Sequence, residues 1–69
     1  MRELRVGEYI LITDEEDKRF LEIGCLEGIS YDFDGVAKGY TVRFKGGIEE
    51  YGYDLEDKCK ILNLEKPYK

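Results

Sequence analysis

The sequence predicts an all-β domain of five short strands, with one short 3₁₀ turn before the last. Three observations predict it. Apolar residues recur with a period of two along most of the chain, the pattern of strands buried on one face. Glycine-bearing turn signals, Asp34-Gly35 and Gly46-Gly47, separate alternating runs. The 69 residues, 42% of them hydrophobic, suffice for one small domain. Its core must be well patterned, because a chain of this size buries only about 60% of its unfolded surface. Charged residues make up 39% but are interleaved with apolar ones, which separates this chain from disordered sequences.

The elements follow in order. Residues 7–13 (GEYILIT) place Ile10 and Ile12 on one face and Tyr9 and Leu11 on the other, a first strand. Residues 14–24 are acidic, with Phe20, Leu21 and Ile23 late in the run. Asp14 suits a helix N-cap, but short helices are marginal. The segment therefore reads as a long excursion with at most one helical turn, its apolar end folded back on the core. Residues 25–33 (CLEGISYDF) form the second strand, where Gly28 marks a bulge or bend. Residues 40–45 alternate strictly, with Tyr40, Val42 and Phe44 on one face and Thr41, Arg43 and Lys45 on the other. Gly46-Gly47 makes a tight hairpin connection, since glycine reaches positive φ without steric cost. Residues 48–54 return as strand four, 55–58 (LEDK) make the 3₁₀ turn, and 59–64 (CKILNL) form the last strand. The domain spans 1–64, and 65–69 is a polar tail. Ile10, Ile12, Leu26, Val42, Phe44 and Ile61 are the expected core.

This ordering resembles the SH3-like small β-barrels in their prokaryotic form. The resemblance rests on VGEYILI at the start, IGCLEGI entering strand two, YTVRF as strand three and YGYDLED leading into strand five. KOW-type and Tudor-type domains share the layout, as does the photosystem I peripheral barrel subunit. It implies a five-stranded SH3-like barrel over residues 6–64 and is nearly silent on function, because this barrel hosts many activities. Proline-binding SH3 domains use an Ala-Leu-Tyr-Asp-Tyr motif and a tryptophan, and this chain has neither. Small acidic stand-alone barrels of this kind also resemble accessory or phage-encoded proteins.

Charge narrows the function classes. Acids outnumber bases 16 to 11, a net charge of −5, whereas non-specific nucleic-acid binding draws most of its affinity from basic residues. The chain has no histidine, so the usual general base near neutral pH is missing, and Glu49 and Glu50 point to opposite strand faces. No catalytic residues are expected. No apolar run approaches the ~18 residues of a transmembrane helix, and no signal peptide is visible, so the expected compartment is the cytoplasm. Cys25 and Cys59 fit no metal-ligand spacing. Free thiols are expected there, although a disulfide between them would close a loop of about 35 residues, worth roughly 4 kcal/mol. No metal or cofactor is implied.

The candidate binding residues fall in two groups. Asp14, Glu15, Glu16 and Asp17 make a contiguous acidic loop. Contiguous carboxylates without a central glycine do not fit a calcium loop, which leaves a solvated loop or an acidic recognition loop. Tyr31 and Phe33 are expected on one strand face, and Tyr51 and Tyr53 on another. These rings either fill a core without tryptophan or offer contact area to a partner. A third use is a methyl-ammonium cage with Asp32, Asp34 or Asp54 supplying the acid. The reading adopted is a non-enzymatic protein-binding module that uses the tyrosines and the acidic loop, its partner carrying a basic patch. One alternative is an acidic nucleic-acid mimic inhibiting a nucleic-acid-binding protein, with residues 14–17 and 49–50 brought together. Another is direct RNA or DNA binding through Arg43, Lys45, Tyr51 and Tyr53. Sequence leaves the oligomeric state open.

Overall fold

A computed structural model of the chain describes residues 4–62. They form β1 (Tyr9–Ile12), β2 (Ile23–Tyr31), β3 (Ala37–Phe44), β4 (Gly47–Gly52), a 3₁₀ turn (Tyr53–Asp57) and β5 (Cys59–Leu62). The fold is all-β, and the 3₁₀ turn stands before the last strand as expected. All strands join one antiparallel sheet in the order β4-β3-β2-β1-β5. The expected continuation of β5 through Asn63 and Leu64, and the polar tail at 65–69, lie outside the described residues.

The sheet does not close into a barrel. β4 and β5 are its edges, and among the described residues no ladder joins them. The reason is local: the 13–22 loop and the 3₁₀ turn occupy the space between them. Thr13 N–H bonds the Lys58 carbonyl at 2.8 Å, beside the start of β5. Further along the same loop, Arg19 and Asp17 bond Glu49 and Tyr51 of β4. Leu55 of the 3₁₀ turn is fully buried and joins the core cluster.

The core lies on the face that carries Ile10, Ile12, Leu26, Val42 and Phe44, all buried as the alternation predicts. Ile61 packs against this cluster partly buried, and Leu4, Tyr40, Leu55 and Cys59 join it. Gly24 shows how tight it is. A Cβ there would stand 2.5 Å from Val42 Cγ1 and 2.7 Å from Phe44 Cε1, so glycine is what lets β2 approach β3 at this point.

Several boundaries differ from the sequence reading, each for a visible reason. No helix forms over 14–24. Asp14 Oδ1 accepts the Glu16 N–H at 3.0 Å and Asp17 Oδ1 accepts the Arg19 N–H at 2.7 Å, so the acids cap turns instead of a helix. Leu21 takes φ 67°, held by its N–H bond to the Ile12 carbonyl at 2.8 Å. β2 ends at Tyr31 because Asp32 Oδ1 accepts the N–H groups of Asp34 and Val36. Phe33 therefore sits in a turn and shares no strand face with Tyr31. The β3–β4 turn is Lys45-Gly46, with Gly46 at φ 94°, and Gly47 already pairs with Phe44. The bulge at Gly28 is present, between Leu26 and Gly28.

Candidate protein-binding surface

The acidic loop is two pairs of residues with different surroundings. Asp14 and Asp17 are half-buried, Glu15 and Glu16 exposed. Besides capping the turns, Asp17 Oδ1 accepts the Tyr51 hydroxyl at 3.3 Å, and Asp14 Oδ2 lies 3.7 Å from Lys58 Nζ. The same Lys58 Nζ is 3.5 Å from Asp54 Oδ2 in the 3₁₀ turn. Lys58 thus bridges the loop to the turn that carries Tyr53. Its pKa is raised, chiefly by Asp54, with Asp14 adding to it.

Arg19 anchors the other end of the loop. Its guanidinium bonds Glu49 at 3.1 Å and Glu22 at 3.1 Å. Lys18 reaches Glu49 as well, at 3.2 Å. Glu49 is held below the ordinary carboxylate range by Lys18 first and Arg19 next, against the opposing effect of burial. Arg19 is raised, mainly by Glu22. These ion pairs spend the Glu49 charge on holding the loop.

The aromatic candidates are not brought together as two strand-face pairs. Tyr51 is half-buried, edge-on to Phe44 at 6.5 Å between centroids. Burial, then Asp17, push its phenol well above the usual range. Tyr53 lies outside β4, in the 3₁₀ turn, and is 73% exposed. Tyr31 is 53% exposed and Phe33 99%. Ser30, Gly39 and Gly52 form one row across β2, β3 and β4, and β2 and β4 run in the same direction. Tyr31 follows Ser30 in β2, and Tyr53 follows Gly52 at the start of the 3₁₀ turn, so both lie at one end of the sheet. The outward set is then Glu15, Glu16, Tyr53, Tyr31 and Phe33, while Asp14, Asp17 and Tyr51 hold the scaffold.

The residues of the nucleic-acid alternative are divided between faces. Arg43 points away from the core and pairs with Glu27, whereas Tyr51 faces inward. Among the described residues, no group of three or more Cys, Asp or Glu side chains is placed to hold a metal ion. No helix among them is long and apolar enough to cross a membrane. Both cysteines are free. Cys25 pairs with Tyr9 and Cys59 with Ile12, on opposite faces of the sheet, which explains why they do not meet.

Sequence reasoning missed the second face. Register places Leu62, Tyr9, Cys25, Arg43 and Ile48 in one row across all five strands, pointing away from the core. Leu11 and Ile23 form part of the next row. Tyr9, Ile23 and Ile48 are each about half exposed. The signal was present in YILI, where both faces of β1 are apolar. Compared with known protein families, curated proteins and solved structures, the chain matches none.

Proposed function

We propose that this chain is a small non-enzymatic protein-binding module built on an SH3-like barrel left open at one seam. The strand order β4-β3-β2-β1-β5 and the 3₁₀ turn before β5 support that fold assignment. The functional reading rests on one observation: Lys58 lies 3.7 Å from Asp14 and 3.5 Å from Asp54, which ties the loop that carries exposed Glu15 and Glu16 to the turn that carries exposed Tyr53. Carboxylates next to an exposed aromatic suit a partner with a basic patch, the charges steering encounter and the ring supplying contact area. Tyr31 and Phe33 extend the aromatic end. Among the described residues, several acids are neutralised by neighbouring bases. Glu22, Glu27 and Glu49 are paired to Arg19, Arg43 and Lys18, and this mixed charge favours a protein module over a nucleic-acid mimic.

The test is affinity capture from the native host with two baits, the wild type and a variant carrying Glu15→Lys, Glu16→Lys and Tyr53→Ala. A basic partner retained by the wild type and lost by the folded variant supports the reading. A partner retained equally by both sinks it.

A further inference from the structure

We infer that the outer face of the sheet is a self-association surface that takes a second copy of this chain. An antiparallel sheet with one solvated face ordinarily alternates apolar-in and polar-out. Here the outward row Leu62–Tyr9–Cys25–Arg43–Ile48 is apolar but for Arg43, and Leu11 and Ile23 widen it. Tyr9 is 46% exposed, Ile23 53% and Ile48 50%, so this apolar surface is open to solvent. Contiguous exposed apolar surface rimmed by charge marks an interaction site.

The charges at the two ends of the face say what covers it. Lys60 pairs with Leu11, and Leu11 with Ile23. Gly24 pairs with Phe44, which brings Lys45 to the same end. That end is basic. On the other side of the apolar row, Thr41 lies between Glu50 and the bulge containing Glu27. That end is acidic, and Glu27 is also the partner of Arg43. The face is thus apolar in the middle, with Lys45 and Lys60 at one end and Glu27 and Glu50 at the other.

Such a surface is complementary to itself under a two-fold axis lying across the strands. Two copies stacked face to face, strands antiparallel, lay each strand along its own counterpart, which brings Lys45 at the end of β3 in each copy toward Glu50 on β4 of the other. An isologous contact of this kind closes at two subunits. Stacked sheets pack about 10 Å apart, which lets the apolar side chains interdigitate. Five strands at ~4.8 Å and about five residues at ~3.3 Å give a face of roughly 400 Å² in projection. Two such faces fall below the ~1,200 Å² of standard stable interfaces, so the dimer is weak and forms at high protein concentration.

Sedimentation velocity on the full chain, from about 10 μM to about 1 mM, tests this over the range where weak interfaces populate. The wild type should shift from monomer toward dimer, and Ile23→Lys should remain monomeric throughout. Lys45→Glu and Glu50→Lys should each weaken the dimer several-fold on their own. Mixed in equal amounts they should restore it, because each Glu50-type contact then meets an opposite charge. Circular dichroism establishes that the variants are folded, and the mixing experiment stands even where Ile23→Lys is not. A wild type still monomeric at about 1 mM overturns the proposal and leaves the face to a different protein. A dimer unchanged by Ile23→Lys, or a charge-swapped mixture no tighter than its components, overturns it equally.

Discussion

The guanidinium carbon of Arg19 lies 4.9 Å from the centroid of the Phe44 ring. This contact places a loop residue over the edge of the core, and the ion pairs to Glu49 and Glu22 fix its direction. Gly47 leaves room for it, since a Cβ there would stand 2.9 Å from Arg19 Nη2. Arg19→Ala should therefore release the loop without unfolding the sheet. Amide exchange should quicken at Leu21, whose N–H bonds Ile12, and stay slow at Val42. Equal acceleration at both would show that the loop and the sheet open as one unit.

Phe44 itself is the largest test of the core assignment. It is 3% exposed and packed edge-on by Tyr51. Phe44→Ala should cost about 3–5 kcal/mol, the transfer loss of the ring plus a cavity. In a domain this small that approaches the whole stability. An unchanged denaturation midpoint would refute the placement of this ring.

Gly24→Ala probes the same spot from the other side. The added methyl meets Val42 and Phe44 well inside contact distance. Overpacking of this kind costs about 1–3 kcal/mol, more where neighbours cannot move. Urea denaturation of the two variants should place both below the wild type, and a neutral Gly24→Ala would mean that β2 and β3 are further apart here.

These core relationships were largely legible in the sequence. The alternation of Tyr40, Val42 and Phe44 fixed a strand face, and Gly28 announced its bulge. The surface was less legible, because its order comes from contacts distant in sequence. Nothing in DEED distinguishes Asp14 and Asp17 from Glu15 and Glu16. The division arises where Lys58 and the Tyr51 hydroxyl meet the loop. Phe33 left the strand because Asp32 caps the turn, a competition between side chain and ladder that alternation does not register. In YILI both faces are apolar, so periodicity alone does not tell which one is covered.

The two thiols should differ sharply in reactivity. Cys59 is 7% exposed, and burial, with Glu56 adding, pushes its pKa up to about 11. Cys25 is half-buried on the outer face. Alkylation of the native protein without reductant should modify Cys25 first, and both only after unfolding. No adducts on the unfolded chain would indicate a disulfide. The folded state holds the Cys59 proton more tightly than the unfolded state. Its contribution is therefore full below pH 9.0 and is lost as pH rises toward about 11, on the order of 2 kcal/mol. Tyr51, raised in the same sense, adds to the alkaline loss above pH 10.0. A Cys59→Ala variant should lose less stability than the wild type across this window, and an identical loss would exclude the thiol as a source.

Binding gives the remaining prediction, and its two parts separate by kinetics. Glu15 and Glu16 are exposed carboxylates at the tip of the loop, so they act on a basic partner at a distance. Reversing both to lysine should slow association several-fold at low salt, and the effect should shrink as salt rises, because the Debye length is only about 8 Å at physiological ionic strength. Tyr53 acts only in contact. Replacing it by alanine should leave association nearly unchanged and speed dissociation about tenfold or more, if the ring is a buried anchor in the complex. Tyr51→Phe is the control: it removes the hydroxyl that reaches Asp17 and should disturb the loop without touching the partner. Measured on one sensor surface with the recovered partner, the acidic pair should move the on-rate and the ring the off-rate. Folded variants that leave both rates unchanged would remove this surface from consideration.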